Sequence, residues 1–196
     1  IGYISGKLLQ DHVVKAEILL HGSFATTGIG HGTDKALIAG LLGMRPDDIR
    51  IPDSFFLAKK DGMEFSFSTI TLKDAHPNTA VLRLTGEHGR KIEVQAASIG
   101  GGRILIAKLD GIEVNFSAEK PTLIVHNVDQ PGHVAQVTSM LAEKQVNIAT
   151  LQLYRDKRGG YAVMVIETDQ EVPEESVAWL EQLDGIIKVT YINVEE

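Results

Sequence analysis

Two histidine–glycine pairs lie ten residues apart, His21-Gly22-Ser23 and Gly30-His31-Gly32-Thr33-Asp34. Imidazole is the side chain whose ordinary titration falls near neutral pH, so this pair is the first candidate for proton transfer. The flanking glycines let backbone approach a ligand closely. His31 stands just ahead of a helical run from Thr33 to Leu42, marked by Ala36, Leu37 and Leu41. A helix start offers free N–H groups and a positive dipole end to a carboxylate. The same residues also read as a capped helix after a flexible loop, with Thr33 or Asp34 as the cap. His76-Pro77-Asn78-Thr79 is a second constellation: proline fixes a turn from which His and Asn project, or it is an ordinary Pro-Asn turn. In Ser98-Ile99-Gly100-Gly101-Gly102-Arg103, three glycines between strands suit either an anion-binding nest or a bulge. Neither G-x-G-x-x-G after a strand nor G-x-x-x-x-G-K-[ST] occurs, which leaves nucleotide binding unsupported. His21, His31 and His76 would make a zinc set only with a supporting carboxylate shell, which cannot be read here, so no metal site is expected. The last constellation is Asn127 to His133 with Asn147-Ile148, a strand–turn–helix corner whose free amides suit a carboxylate.

The elements that position these residues follow from composition and periodicity. The chain has 196 residues, 43% hydrophobic and 23% charged, an ordinary globular make-up for one large or two small domains. A net charge of −7 argues against nucleic acid or an anionic membrane as the main partner. No apolar run approaches the roughly 18 residues of a membrane span. Without a visible signal peptide, the expected compartment is the cytoplasm. Zero cysteines exclude disulfides, thiolate metal ligands and a thiol nucleophile within the chain.

A polar stretch from Ser117 to Pro121 reads as a linker between domains at 1–117 and 121–196. In the second, strands at 122–128, 146–155, 161–168 and 186–194 alternate with helices opened by Pro131 and Pro173. Val134, Val137, Met140 and Leu141 mark the buried face of the first helix. The order βαββαβ predicts a ferredoxin-like sandwich. In the first domain, residues 3–14 look helical, 15–24 form a strand running into the glycine loop, and 47–60 hold another short helix. Alternating segments at 64–72, 80–86, 91–98, 103–109 and 112–116 predict an antiparallel sheet. The fold class is α+β in two domains.

Taken together, these residues resemble the β subunit of the iron–sulfur-dependent, two-chain bacterial L-serine dehydratases. The pattern H-G-S-x-A-x-T-x-x-G-H-G-T-D is met from His21 to Asp34, H-P-N-T from His76 to Thr79, and S-x-G-G-G from Ser98 to Gly102. The C-terminal part resembles an ACT domain through its D-x-P-G…N-I pattern at Asp129, Pro131, Gly132, Asn147 and Ile148. The family's S-S-S-H-T motif is expected just upstream of Ile1-Gly2.

The resemblance implies an allosteric substrate-binding-like first domain and a 4Fe–4S cluster held by cysteines of a separate α subunit, with no pyridoxal phosphate. The implied reaction is aconitase-like: an open iron position acts as Lewis acid on serine, a base removes the α proton, and aminoacrylate decays to pyruvate and ammonia. In that scheme His31 is base or proton shuttle and Asp34 orients it. His21, Ser23, Thr33, His76, Asn78 and Thr79 line the cavity. Asn127, Asp129, Gly132 and Asn147 face an amino-acid effector, and the ACT domain mediates self-association. The serine-binding ACT of phosphoglycerate dehydrogenases reads H-x-N-x-P-G, whereas here Asn127 and Asp129 take the first two defined places. A similar pair of domains also closes some 3-phosphoglycerate dehydrogenases, so the alternative is a non-catalytic, amino-acid-binding regulatory module. Having both H-G-T-D and H-P-N-T favours the enzyme subunit.

Overall fold

The computed structural model describes residues 1–194 and divides into two compact units, Ile1–Gly111 and Ile112 onward. In the first unit the order is α1 (Gly2–Leu9), β1 (Val13–Leu20), α2 (Ser23–Thr26), α3 (Thr33–Leu41), α4 (Ser54–Lys60), then β2 (Glu64–Thr69), β3 (Thr79–Gly86), β4 (Lys91–Gly100) and β5 (Arg103–Leu109). Short 3-10 turns occupy Ile29–His31 and Ile51–Asp53. The strands lie in the order β2-β1-β3-β4-β5. Leu8 and Leu9 from α1, Ile38 from α3, Ile18, Leu82 and Leu84 from the sheet are all fully buried. Each such side chain contributes about 1.5–3 kcal/mol relative to exposure.

Two expectations for this unit need correction. The first helix stops at Leu9 rather than running to residue 14, because Gln10 turns left-handed (φ 54°) and its N–H closes on the Lys7 carbonyl. Asp11 then redirects the chain, and the strand starts at Val13. The sheet is also not purely antiparallel, since β1 pairs in parallel with β2. The chain between β1 and β2 holds α2, α3 and α4, which is the crossover that a parallel pair requires. Phe55 of α4 packs on Phe65 and Phe67 of β2, with ring centroids 5.1 and 5.9 Å away. Helices α1 and α3 meet at Gly40, where a Cβ would fall on the backbone of Tyr3 and Gly2.

Asp11 also clasps the β3–β4 hairpin. Its carboxylate accepts the backbone N–H groups of His12 (2.8 Å) and His88 (2.9 Å) and the ring Nδ1–H of His88 (2.8 Å). The bond to His88 leads in holding Asp11 below the usual carboxylate range. The same bond, then the Asp11 charge, raises His88 above its ordinary value of about 6.5; Glu87 adds to this and Arg90 opposes it. The His88 share of stability is therefore complete below about pH 6.5 and is lost as pH rises through the raised value. The Asp11 share is complete above about pH 3.8 and is lost as pH falls through the lowered value. The clasp is thus whole between roughly pH 4 and 6.5. In a proton NMR titration, Asp11→Asn should bring the His88 midpoint back toward 6.5. An unmoved midpoint would contradict the clasp.

In the second unit β6 (Ile112–Phe116) precedes β7 (Thr122–Val128), α5 (His133–Glu143), β8 (Ile148–Arg155), β9 (Tyr161–Thr168), α6 (Glu174–Glu181) and β10 (Ile186–Ile192). From β7 onward this is βαββαβ, with an antiparallel sheet in the order β10-β7-β9-β8. Leu123, Val125, Val137, Leu141, Met164, Ile166, Leu180 and Val189 form its core. The helix begins at His133, not Pro131, with Gly132 (φ 107°) at its N-cap. Val137, Met140 and Leu141 are buried as expected, but Val134 is exposed and His133 takes the first inward position in its place. Among the described residues, no helix is long and apolar enough to cross a membrane.

Candidate functional site

At the carboxyl end of β1 the backbone laces three of the motifs together. His21 N–H donates to the Thr79 carbonyl (2.9 Å), Ser23 N–H to the Pro77 carbonyl (2.8 Å), and Ser98 N–H to the Asn78 carbonyl (2.9 Å). Gly22 makes the crossing feasible: it sits at φ 56°, ψ −124°, and a Cβ there would lie 2.5 Å from the Pro77 carbonyl oxygen. His-Gly-Ser and His-Pro-Asn-Thr are therefore one structural feature read from two places in the sequence.

The side chains of His21, His76, Thr79 and His31 are held by main-chain atoms rather than by one another. His21 is half-buried, and its Nδ1 lies 3.2 Å from the Leu72 N–H and 3.3 Å from the Ile70 carbonyl. One nitrogen cannot serve both, so the Nδ1-unprotonated ring accepts from Leu72 and the Nδ1-protonated ring donates to Ile70. Either way His21 pins the segment leading into His76. Thr79 is buried and its hydroxyl donates to the His76 carbonyl (2.6 Å). The His76 Nδ1 accepts the Asn78 N–H (3.1 Å), leaving its exposed ring anchored by one nitrogen.

His31 is exposed, and its Nδ1 is 2.8 Å from the Thr27 carbonyl. A carbonyl only accepts, so Nδ1 carries the proton and the neutral ring keeps its lone pair on Nε2. The expected orienting role of Asp34 is corrected here: its carboxylate accepts the Lys35 N–H (2.8 Å), and Thr27 orients the ring. Thr27 is one turn upstream, and its contribution is a main-chain atom, which no residue-type pattern could have revealed. Thr33 is not a cap, since the N-cap of α3 is Gly32 and makes no side-chain bond. The glycines of the third motif serve a tight hairpin, with Gly100 paired to Arg103 across Gly101 and Gly102 at φ 63° and 77°. Positive φ at both central residues is the demand of a type I′ two-residue turn. The register shifts between Ser98 and Gly100, so of the two readings, nest or bulge, the bulge is the one the strand pairing supports.

In the second unit the effector candidates fall into two groups. Asp129 is engaged: its carboxylate accepts the Gly159 N–H (2.9 Å) and an Arg155 Nη1–H (3.2 Å). The Gly159 amide first and Arg155 next hold it below the usual carboxylate range. Asn147 is engaged too, donating through Nδ2 to Asp169 (2.7 Å). Asn127 is buried, with Nδ2 donating to the Val128 carbonyl (2.7 Å) and Oδ1 without a partner. His133, which closes the constellation opened by Asn127 without having been assigned a role, is a buried ring against Gly185 whose Nε2 is also unpartnered. Its signal was histidine directly after Pro131-Gly132, where an apolar helix start was expected.

Comparison with known proteins puts these features in a family. The family model "Serine dehydratase beta chain" matches residues 3–58, and "ACT domain" matches residues 121–185. The L-serine dehydratase β chain of Peptoniphilus asaccharolyticus is 33% identical, covering 99% of this chain and 88% of that one. The chain belongs to the L-serine dehydratase β-chain family. Within that family, the probable L-serine dehydratase β chain of Bacillus subtilis is 35% identical over 98% of this chain and 87% of its own length. The D-3-phosphoglycerate dehydrogenase of Methanocaldococcus jannaschii is similar as well, at 27% identity over 99% of this chain and 36% of the dehydrogenase. In this β-chain-family member the first family match spans both histidine–glycine pairs, and the second contains the corner of Asn127 and His133.

Proposed function

We propose that the chain is the β half of an L-serine dehydratase, converting L-serine to pyruvate and ammonia only with a cysteine-bearing α subunit. The observation that carries this reading is His31, in a chain of that family: Nδ1 is tied to the Thr27 carbonyl and the ring is exposed. The chain has no cysteine, and no three His, Asp or Glu side chains converge on a metal position among the described residues. Its own residues do not fit an iron–sulfur cluster. The reading therefore assigns a 4Fe–4S cluster to the partner, where it would supply Lewis acidity toward the serine hydroxyl.

What this chain contributes is proton handling and shape. The His31 Nε2 takes the serine α proton, and the imidazolium so formed is steadied by its Nδ1–H bond to Thr27. In this reading Ser23, Thr33, His76 and Asn78 supply polar groups to the substrate cavity, while His21 and Thr79 hold the loops that carry His76 and Asn78. No pyridoxal phosphate enters the scheme. Gel filtration of this chain with the cysteine-bearing chain should give a joint peak carrying both. Separate elution at micromolar concentrations would contradict the reading.

The second unit is read as an amino-acid-sensing ACT domain. Asn127 Oδ1 and His133 Nε2 are buried acceptors without donors, and the ammonium of an amino acid is the ligand group that suits them. The edge strand β8, with Leu151 and Leu153 exposed, would pair with a second copy. Light scattering should show a dimer that Leu153→Lys converts to monomer. A dimer surviving that change would contradict pairing through β8. Similarity to a D-3-phosphoglycerate dehydrogenase along the whole chain supports the alternative, a purely regulatory module. Such a module has no use for the His31 arrangement.

A further inference from the structure

Between α5 and α6 of the second unit lies a groove of about 610 Å³, a size typical of small-molecule sites. Ala135, Ser139, Met140 and Glu143 line it from α5, and Ser176 and Trp179 from α6. Trp179 is the chain's single tryptophan and is 44% exposed, leaving a large aromatic surface open to a ligand. Ser176 is 2% exposed, yet its hydroxyl has no hydrogen-bond partner. A buried hydroxyl without a partner is a cost that a ligand donor removes. Charge selects among ligands. Lys144 is already paired with Glu175 at 3.2 Å, which leaves the Glu143 carboxylate as the uncompensated charge of the groove.

We propose that this groove binds a small primary amine with an apolar body. The ammonium donates one N–H to the Glu143 carboxylate and a second to the Ser176 Oγ, which a turn about its Cα–Cβ bond brings to the groove. The apolar body lies on Trp179 and Met140. An alcohol of the same shape keeps the apolar contact and one O–H donor, but brings no positive charge to pair with the Glu143 carboxylate. A carboxylate of that shape meets Glu143 and is repelled. Neither Asn127 nor His133 lines the groove, although its lining residue Gln136 bonds His133 (3.2 Å), and the proposal does not depend on the catalytic reading.

The chain's only tryptophan reports occupancy directly. Emission of the full chain is followed during titration with isopentylamine, isopentanol and isovalerate. The amine should shift the emission saturably at a concentration about tenfold lower than the alcohol, as a charge-assisted hydrogen bond provides, and isovalerate should have no effect. Glu143→Gln, on an exposed position, should bring amine and alcohol within about twofold of each other. Ser176→Ala should weaken both, with a thermal midpoint no lower than that of the parent. Equal affinity for amine and alcohol in the parent chain would overturn the proposal. So would a tenfold preference persisting in Glu143→Gln, unchanged binding in Ser176→Ala, or no emission shift with any probe.

Discussion

Replacing His31 with alanine in the assembled enzyme should lower kcat by roughly 10²–10⁴, the range for loss of a positioned general base. The ring reaches neither core nor sheet: it is exposed, and its one hydrogen bond is to the Thr27 carbonyl in its own turn. Truncation therefore leaves the first unit folded, and the loss falls on turnover. KM should change little, because a base that acts in the transition state is not a ground-state anchor. His31→Gln should not restore turnover, since a carboxamide cannot take up a proton at working pH. Asp34→Asn should cost far less than His31→Ala, because the Asp34 carboxylate serves the Lys35 amide rather than the imidazole. Steady-state pyruvate formation measures all three. A His31→Ala enzyme within a factor of a few of the parent would make the histidine a surface residue of a capped turn.

Gly22→Ala should carry a large structural penalty, because strain and a backbone clash coincide there. Its φ of 56° with ψ −124° is a conformation that side-chain-bearing residues avoid, at a cost of roughly 1–3 kcal/mol. The added methyl would also lie 2.5 Å from the Pro77 oxygen, which the Ser23 N–H holds in place. Pro77 can yield only by moving His76 and Asn78 with it. Denaturant unfolding should show a loss of at least about 2 kcal/mol, and turnover should fall by about 10² from misplacement alone. Gly30→Ala is the control, because a Cβ there meets nothing within 4 Å. Its stability should stay within about 0.5 kcal/mol of the parent. Equal stability of the two variants would contradict the crossing at Gly22.

The same contrast explains what could be read from the chain before its structure. The helix at Thr33–Leu41 was legible from Leu37 and Leu41, which are buried as helical spacing implies, although the third marker, Ala36, is exposed and Ile38 faces inward instead. The strand β4 was legible because alternation survives in its burial from Ile92 to Ala96, whereas β3 is buried on both faces from Thr79 to Leu82 and β5 does not alternate. Parallel pairing of β1 with β2 was not legible, because pairing direction follows from the three intervening helices rather than from either strand's own pattern. His133 was hidden for a related reason: a polar ring took the first inward position of α5, where the apolar stripe starting at Val134 looked sufficient. For the candidate site, the pattern of residue types picked out His21, His31 and His76 but not their partners. Those partners are the main-chain atoms of Thr27, Ile70 and Leu72 and of the motif itself, and any residue type can supply them.

On the proposed function, this chain completes a reaction centre that it cannot build alone. Anaerobic pyruvate formation from L-serine tests it most directly, measured for this chain, for a cysteine-bearing α subunit, and for the two combined. Pyruvate is expected only from the combination, with the iron–sulfur absorbance carried by the α subunit because this chain has no thiolates to hold it. Pyruvate formed by this chain alone, or full turnover by the α subunit without it, would overturn the proposed function.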